Sequence, residues 1–132
     1  MYLVKVLLSA TVAAGFAAAF NFLFKRAGRA GVTFFAPLAE EWLKTGSAIV
    51  FNVAVPGTHI LFGILEAAGD CVWGGRFRLL AALFGVMAHT VFGLITFFTL
   101  AAGYTVLTAV LAAIAAHMAW NTLVLRLSAR NP

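Results

Sequence analysis

Charged side chains are scarce in this chain, at 10% of 132 residues, and that scarcity excludes an ordinary soluble domain. Cysteine is scarcer still: Cys71 stands alone, so neither an intramolecular disulfide nor a CxxC metal site can form, and it reads as a small apolar filler. Nucleophilic catalysis is disfavoured as well. Ser9, Ser47 and Ser128 lie in no triad context, and Cys71 has no histidine near it in sequence. Linkers, low-complexity tracts and internal repeats are lacking, so residues 1–132 read as a single transmembrane domain with no room for a soluble one.

What fills the chain is apolar. Hydrophobic residues make up 64% and the mean hydropathy is +1.03, and apolar runs recur near the roughly 20 residues that cross a bilayer. The expected fold is all-α, a polytopic bundle of about five membrane helices in contact with lipid. The spans read Val6 to Phe24, Thr33 to Val55 with a stop at Pro56-Gly57, a short third from Thr58 to Trp73, Leu79 to Leu100, and Tyr104 to Leu125. The net charge of +5 does not mark a nucleic-acid binder, because the basic residues are dispersed at span ends. Lys25, Arg26 and Arg29 follow the first apolar run at once, which argues for a retained helix rather than a cleaved signal peptide. That loop, the loop with Arg76 and Arg78, and the tail with Arg126 and Arg130 fall on one side. The turns at residues 55–59 and 101–103 carry no Lys or Arg. The positive-inside rule then puts the N-terminus outside and the C-terminus in the cytoplasm, with Lys5 as the one violation.

All four acidic residues, Glu40, Glu41, Glu66 and Asp70, lie in or at the edge of these spans. A charge at the bilayer centre costs from about 2.5 kcal/mol upward, so such residues face a bundle interior or a cavity and mark function by default. Counted from the basic end of each span, Glu40, Glu41, Glu66, His89, His117 and Asn121 all lie about 4 to 10 residues in. At 1.5 Å per residue this is one layer, roughly 6 to 15 Å deep. A single shared site is expected.

Spacing assigns roles within it. His117 and Asn121 share a helix face, whereas Glu40 and Glu41 point about 100° apart, so one glutamate should lead. Lys44 can neutralise either glutamate, and Pro37 should distort its helix where water or substrate enters. Asp70 reads as a solvated cap near Arg76 or Arg78. His59 reads as a solvated or interfacial residue of an uncharged turn, and Trp120 as a candidate to line the site. A carboxylate base with imidazole and amide groups around an oxyanion is the equipment for activating water. The same residue types, Glu41, Glu66, His89 and His117, suit a divalent metal such as zinc, and the sequence does not separate the two mechanisms.

The segment Pro37-Leu-Ala-Glu40-Glu41-Trp42-Leu43-Lys44 resembles the PxxEExxK motif of PrsW-type intramembrane proteases, relatives of the CAAX prenyl proteases and bacteriocin-processing membrane proteins. Phe62-Gly63-Ile-Leu-Glu66 resembles that family's second motif, His89 with Thr90 and Phe92 its third, and His117-Met-Ala-Trp120-Asn121 its closing HxxWN pattern. The four occur in order over roughly residues 34 to 125. The resemblance implies an endopeptidase of a prokaryotic inner or plasma membrane that cleaves a membrane-bound or membrane-adjacent peptide. It implies Glu40 or Glu41 as the base, His89, His117 and Asn121 as polarising partners, and Glu66 and Lys44 in support. Ala67 stands where the second motif usually has Asn, and Lys44 favours the PrsW pattern over the Arg of CAAX proteases. The chain is also short beside larger relatives, as a minimal enzyme, a homo-oligomer or a degenerate inactive homologue would be. A non-catalytic protein that binds or conducts a cation or proton through the same cluster is the competing expectation.

Overall fold

The computed structural model describes residues 1–73 and 78–128. Arg76 and Arg130 lie outside the described residues, as does the side chain of Trp73. The chain is all-α: five long helices, α1 (Tyr2–Phe24), α2 (Ala36–Val50), α3 (Val55–Trp73), α4 (Arg78–Ala101) and α5 (Val106–Ser128), with no strand among the described residues. Between α1 and α2 the chain makes a 3₁₀ turn (Lys25–Ala27), one α-helical turn (Gly28–Ala30) and a turn of π-helix (Gly31–Phe35). Three helices, α1, α4 and α5, are long and apolar enough to cross a membrane, and the protein is an integral membrane protein. Large apolar side chains such as Leu7, Phe16, Ile49, Leu83, Phe98 and Leu111 are exposed along the outside of the bundle, where lipid is the matching solvent.

The second span differs from its sequence reading at both ends. Pro37 stands in the first turn of α2, directly after the π-helical turn Gly31–Phe35, so the helical backbone is irregular just ahead of it while Ala36–Val50 itself is regular. The end comes at Asn52, not at Pro56-Gly57. Asn52 takes φ +52°, and Val53 N–H donates to the Ala48 carbonyl (2.9 Å), closing the helix with a left-handed cap. Pro56 then sits in the opening turn of α3, which therefore starts at Val55 and runs 19 residues, longer than the short third helix expected. The α4–α5 turn closes in the same way at Gly103 (φ +86°), with Tyr104 N–H on the Thr99 carbonyl (3.2 Å).

The shortest long helix, α2, is central, packed against α1, α3 and α5. Its buried residues are Pro37, Glu40, Glu41, Lys44, Thr45 and Ala48, a stripe at helical spacing that is mostly polar. Leu38, Trp42, Ile49 and Val50 are exposed on its other side. An amphipathic helix of a soluble protein turns its apolar face inward; this one is inverted, as burial of function inside a lipid-soluble bundle requires. Small residues permit the close approach of its neighbours. Ser9, Ala10, Ala13 and Ala17 lie with Val6 on the buried face of α1, and Ala109 and Ala113 on that of α5.

The closest pairing is α3 against α4, which run antiparallel with a glycine facing a histidine twice over. A Cβ on Gly63 would meet His89 Cβ at 3.1 Å, and one on Gly93 would meet His59 Cβ at 2.7 Å and Cγ at 2.9 Å. Each glycine is the recess that receives the imidazole of the opposite helix. The sequence carries the signature of this symmetry. His59-Ile-Leu-Phe62-Gly63-Ile-Leu-Glu66 on α3 and His89-Thr-Val-Phe92-Gly93-Leu-Ile-Thr96 on α4 share HxxFG in register. The absence of an internal repeat, as read above, is thus corrected: one short repeat exists, and antiparallel packing relates its two copies by a local two-fold axis.

Candidate functional site

Lys44 lies at the middle of this arrangement, fully buried, with its ammonium 4.7 Å from the centre of the Phe62 ring and 6.0 Å from that of Phe92. Those rings are the equivalent residues of the two repeats, so the cation sits between matching aromatic faces that attract it. Its hydrogen bonds go elsewhere. Nζ donates to Glu41 Oε1 (2.6 Å) and to His89 Nδ1 (3.0 Å). Of the two glutamates that the spacing offered as partners, Glu41 is the one engaged.

Donor chemistry then fixes the protons along the cluster. A charged ammonium has only hydrogens to offer, so His89 Nδ1 accepts and its Nε2–H donates to Glu66 Oε2 at 2.5 Å. Glu41 Oε1 is a carboxylate acceptor, so His117 Nδ1–H donates to it at 2.8 Å. The opposite ring nitrogen, His117 Nε2, lies 3.9 Å from Glu40 Oε2 and carries a lone pair in the neutral ring. Stacking on Phe92, centroids 4.6 Å apart and 20° from parallel, holds the His117 ring in plane.

Glu40 and Glu41 both reach the site, and as their 100° offset requires they do not converge on one point. They lie on opposite edges of a single imidazole, which spans the angle between them. Their situations differ. Glu41 is tied to Lys44 and His117 and contributes nothing to the cavity wall. Glu40 lines a cavity of about 610 Å³ together with Glu66, His89, His117, Trp120 and Asn121, and its Oε1 accepts from Asn21 Nδ2 at 3.1 Å. Gly28, Arg29, Val32 and Leu125, near the basic ends of α1 and α5, also line the cavity. Asn121 is apart from the hydrogen-bonded cluster: its Nδ2 donates to the Val32 carbonyl at 2.9 Å, pinning the π-helical turn to α5, and its second amide hydrogen and Oδ1 stay available.

Two members of this polar interior were not among the sequence candidates. Asn21 looked like an ordinary polar residue near the end of an apolar run, and only the crossing of α1 over α2 brings it to Glu40. His59 is not solvated or interfacial. Because α3 begins at Val55, His59 lies within a helix instead of a turn, fully buried against Gly93, with Nδ1 3.7 Å from Glu41 Oε2. The shared HxxFG pattern was the signal that pairs it with His89. Asp70 forms no ion pair among the described residues.

As metal ligands, the residues with donor atoms close together are Glu40, His89 and His117, all buried and within 4.8 Å of one another. This differs from the expected set, since Glu41 is turned toward Lys44. One carboxylate and two imidazoles are a donor set that zinc accepts in type and number, with His89 giving up its hydrogen bond to Lys44 or to Glu66 in order to ligate. Comparison with family profiles, curated proteins and solved structures finds no match. The likeness to PrsW-type proteases rests on the four motifs alone.

Proposed function

We propose that the protein is an intramembrane endopeptidase that cleaves a membrane-bound or membrane-adjacent peptide with a water activated between Glu40 and His117. The observation that carries this reading is the 3.9 Å gap between Glu40 Oε2 and His117 Nε2, two proton acceptors facing each other at the wall of a cavity. A water in that gap has an acceptor for each hydrogen and a lone pair directed toward bound substrate. Asn21 steadies Glu40, while Glu41 fixes the tautomer and orientation of His117, as a carboxylate behind a histidine does in hydrolases of other folds. The free amide hydrogen of Asn121 is the donor for the oxyanion. The polar wall groups Glu66, His89 and Trp120 flank the chain of the substrate. By the positive-inside rule the end of the cavity lined by Arg29 faces the cytoplasm, and the peptide enters from there or from the adjoining leaflet.

Glu40, His89 and His117 are also the residues that would hold a divalent metal, which when bound lowers the pKa of its water. Chelation separates the two forms. In the metal-free mechanism, purified protein in lipid bilayers retains full cleavage of single-pass membrane substrates after exhaustive chelation. Lost activity restored by zinc would favour the metal form. Glu40→Gln abolishes cleavage in either form; undiminished cleavage by that variant would overturn the proposal. Cation or proton flux through reconstituted vesicles, without proteolysis, would replace it with the transport reading.

A further inference from the structure

Behind the cluster, on the side away from the cavity, four buried polar atoms have no hydrogen-bond partner among the described residues: Glu41 Oε2, Thr45 Oγ1, and both ring nitrogens of His59. They are neighbours. Thr45 lies one helical turn after Glu41 on the buried stripe of α2, and His59 Nδ1 is 3.7 Å from Glu41 Oε2, beyond hydrogen-bond reach. All three side chains have 0% relative exposure.

Thr45 differs from four other helical threonines. Thr90, Thr96, Thr99 and Thr122 each turn the hydroxyl back to the carbonyl four residues earlier, at 2.7 to 3.1 Å. Thr45 does not. Nor is polarity left unsatisfied generally in this region, since Ser9 bonds Thr58 (2.9 Å) and Ser47 (3.1 Å), and Ser47 bonds the Lys44 carbonyl (3.1 Å). The repeat sharpens the contrast: His89 has Lys44 and Glu66 on its two nitrogens, whereas its symmetry mate His59 has no hydrogen bond on either among the described residues.

We propose that Glu41 Oε2, Thr45 Oγ1 and His59 enclose an occluded water, and that through it His59 and Thr45 are positioning residues for Glu41. The donor count suits water: a neutral imidazole and a hydroxyl bring donors and acceptors, the carboxylate only accepts, and a water between them satisfies all three. A water about 2.8 Å from both His59 Nδ1 and Glu41 Oε2 sits to one side of their axis, toward the third partner. A cation is disfavoured because the Lys44 ammonium already occupies the other oxygen of the same carboxylate. With Oε2 held by water and Oε1 by Lys44 and His117, Glu41 cannot swing, and His117 Nε2 stays aimed at Glu40. The water site stands on these contacts alone; the positioning role rests on the function proposed above.

The test is magnetisation transfer from water to histidine ring resonances in the full chain, labelled with ¹⁵N-histidine, in phosphatidylcholine and phosphatidylglycerol nanodiscs. His59 is expected to show a water contact that falls about fivefold in Thr45→Val, is retained in Thr45→Ser, and leaves the His89 and His117 resonances in place. No water contact at wild-type His59 would overturn the proposal, as would a contact unchanged in Thr45→Val or His59 shifts that follow added sodium or potassium. For the positioning role, Thr45→Val is expected to lower kcat about fivefold at constant KM, with recovery in Thr45→Ser. A wild-type protein that cleaves nothing removes that role and the proposed function together, while the spectrum still decides the water.

Discussion

Replacing each of the adjacent glutamates by glutamine should have opposite consequences. Glu41 and Lys44 both have side chains with 0% exposure, and their 2.6 Å contact is the ammonium's only ion pair among the described residues. Glutamine at position 41 keeps an acceptor but removes the charge. The ammonium is then left with the neutral His89 Nδ1 at 3.0 Å and two aromatic faces, Phe62 at 4.7 Å and Phe92 at 6.0 Å. Breaking a buried pair from one side costs about 3–5 kcal/mol, and the ring faces, at about 0.5–2 kcal/mol each, offset only part of a cost already measured in such surroundings. Glu41→Gln should therefore lose about 3 kcal/mol, a large share of the ~5–15 kcal/mol that separates a folded protein from its unfolded chain. Glu40 has no lysine or arginine partner among the described residues, and the Asn21 hydrogen bond survives in a glutamine. Glu40→Gln should change stability by less than about 1 kcal/mol. It should lower the cleavage rate about 10²- to 10⁴-fold, the usual contribution of a general base. Equilibrium unfolding in bicelles gives the first quantity, and turnover per folded molecule the second. The double variant Glu41→Gln/Lys44→Met completes a cycle, and removing both charges should recover at least about 2 kcal/mol of the single-variant loss. A Glu41→Gln protein as stable as wild type but inactive, beside an active Glu40→Gln, would refute this division of labour.

The glycine recesses make a sharper structural prediction. A methyl group on Gly93 would lie 2.7 Å from His59 Cβ and 3.3 Å from Pro56 Cα, so Gly93→Ala should destabilise by about 1–3 kcal/mol. Gly46, with nothing within 4 Å of its Cβ position, is the control; Gly46→Ala should be neutral or stabilising by up to about 1 kcal/mol, read by the same unfolding measurement. Asn21→Leu frees Glu40 Oε1, and turnover should fall about fivefold while the unfolding midpoint holds. Turnover equal to wild type would remove Asn21 from the site.

Helix number, order and the identity of most polar residues were legible because a membrane chain is apolar wherever it is not doing chemistry. Glu40, Glu41, Lys44, Glu66, His89 and His117 were exceptions to that rule, and the structure brings all six within one connected set of contacts. What stayed hidden depends on angles and ends. A proline and glycine together read as a stop, yet the left-handed φ of Asn52 had already ended α2, so Pro56-Gly57 opens α3 and carries His59 into the core. Likewise, adjacent glutamates are equivalent in sequence. Only the course of α5, which lays His117 between them, gives Glu41 to the interior and Glu40 to the cavity. Asn21 was invisible because its partner lies on another helix.

The α3–α4 pair explains why the polar interior is open on one side and closed on the other. The local two-fold axis would make the surroundings of His59 and His89 alike, were the repeats identical. They differ at five of eight positions, and at the last of these α3 has Glu66 where α4 has Thr96. Glu66 is long enough to reach His89 across the helix pair and remains 46% exposed at the cavity, so that half of the repeat communicates with the outside. Thr96 is fully buried and spends its hydroxyl on the Phe92 carbonyl, so the half containing His59 is sealed. Lys44, between the two phenylalanines, is drawn toward the side with the better acceptors and bonds His89 rather than His59. The difference between Glu66 and Thr96, three residues beyond the shared HxxFG, thus turns near-symmetric packing into a polarised site: an accessible face carrying Glu40, Glu66, His89 and His117, and an enclosed face whose unpaired groups call for water.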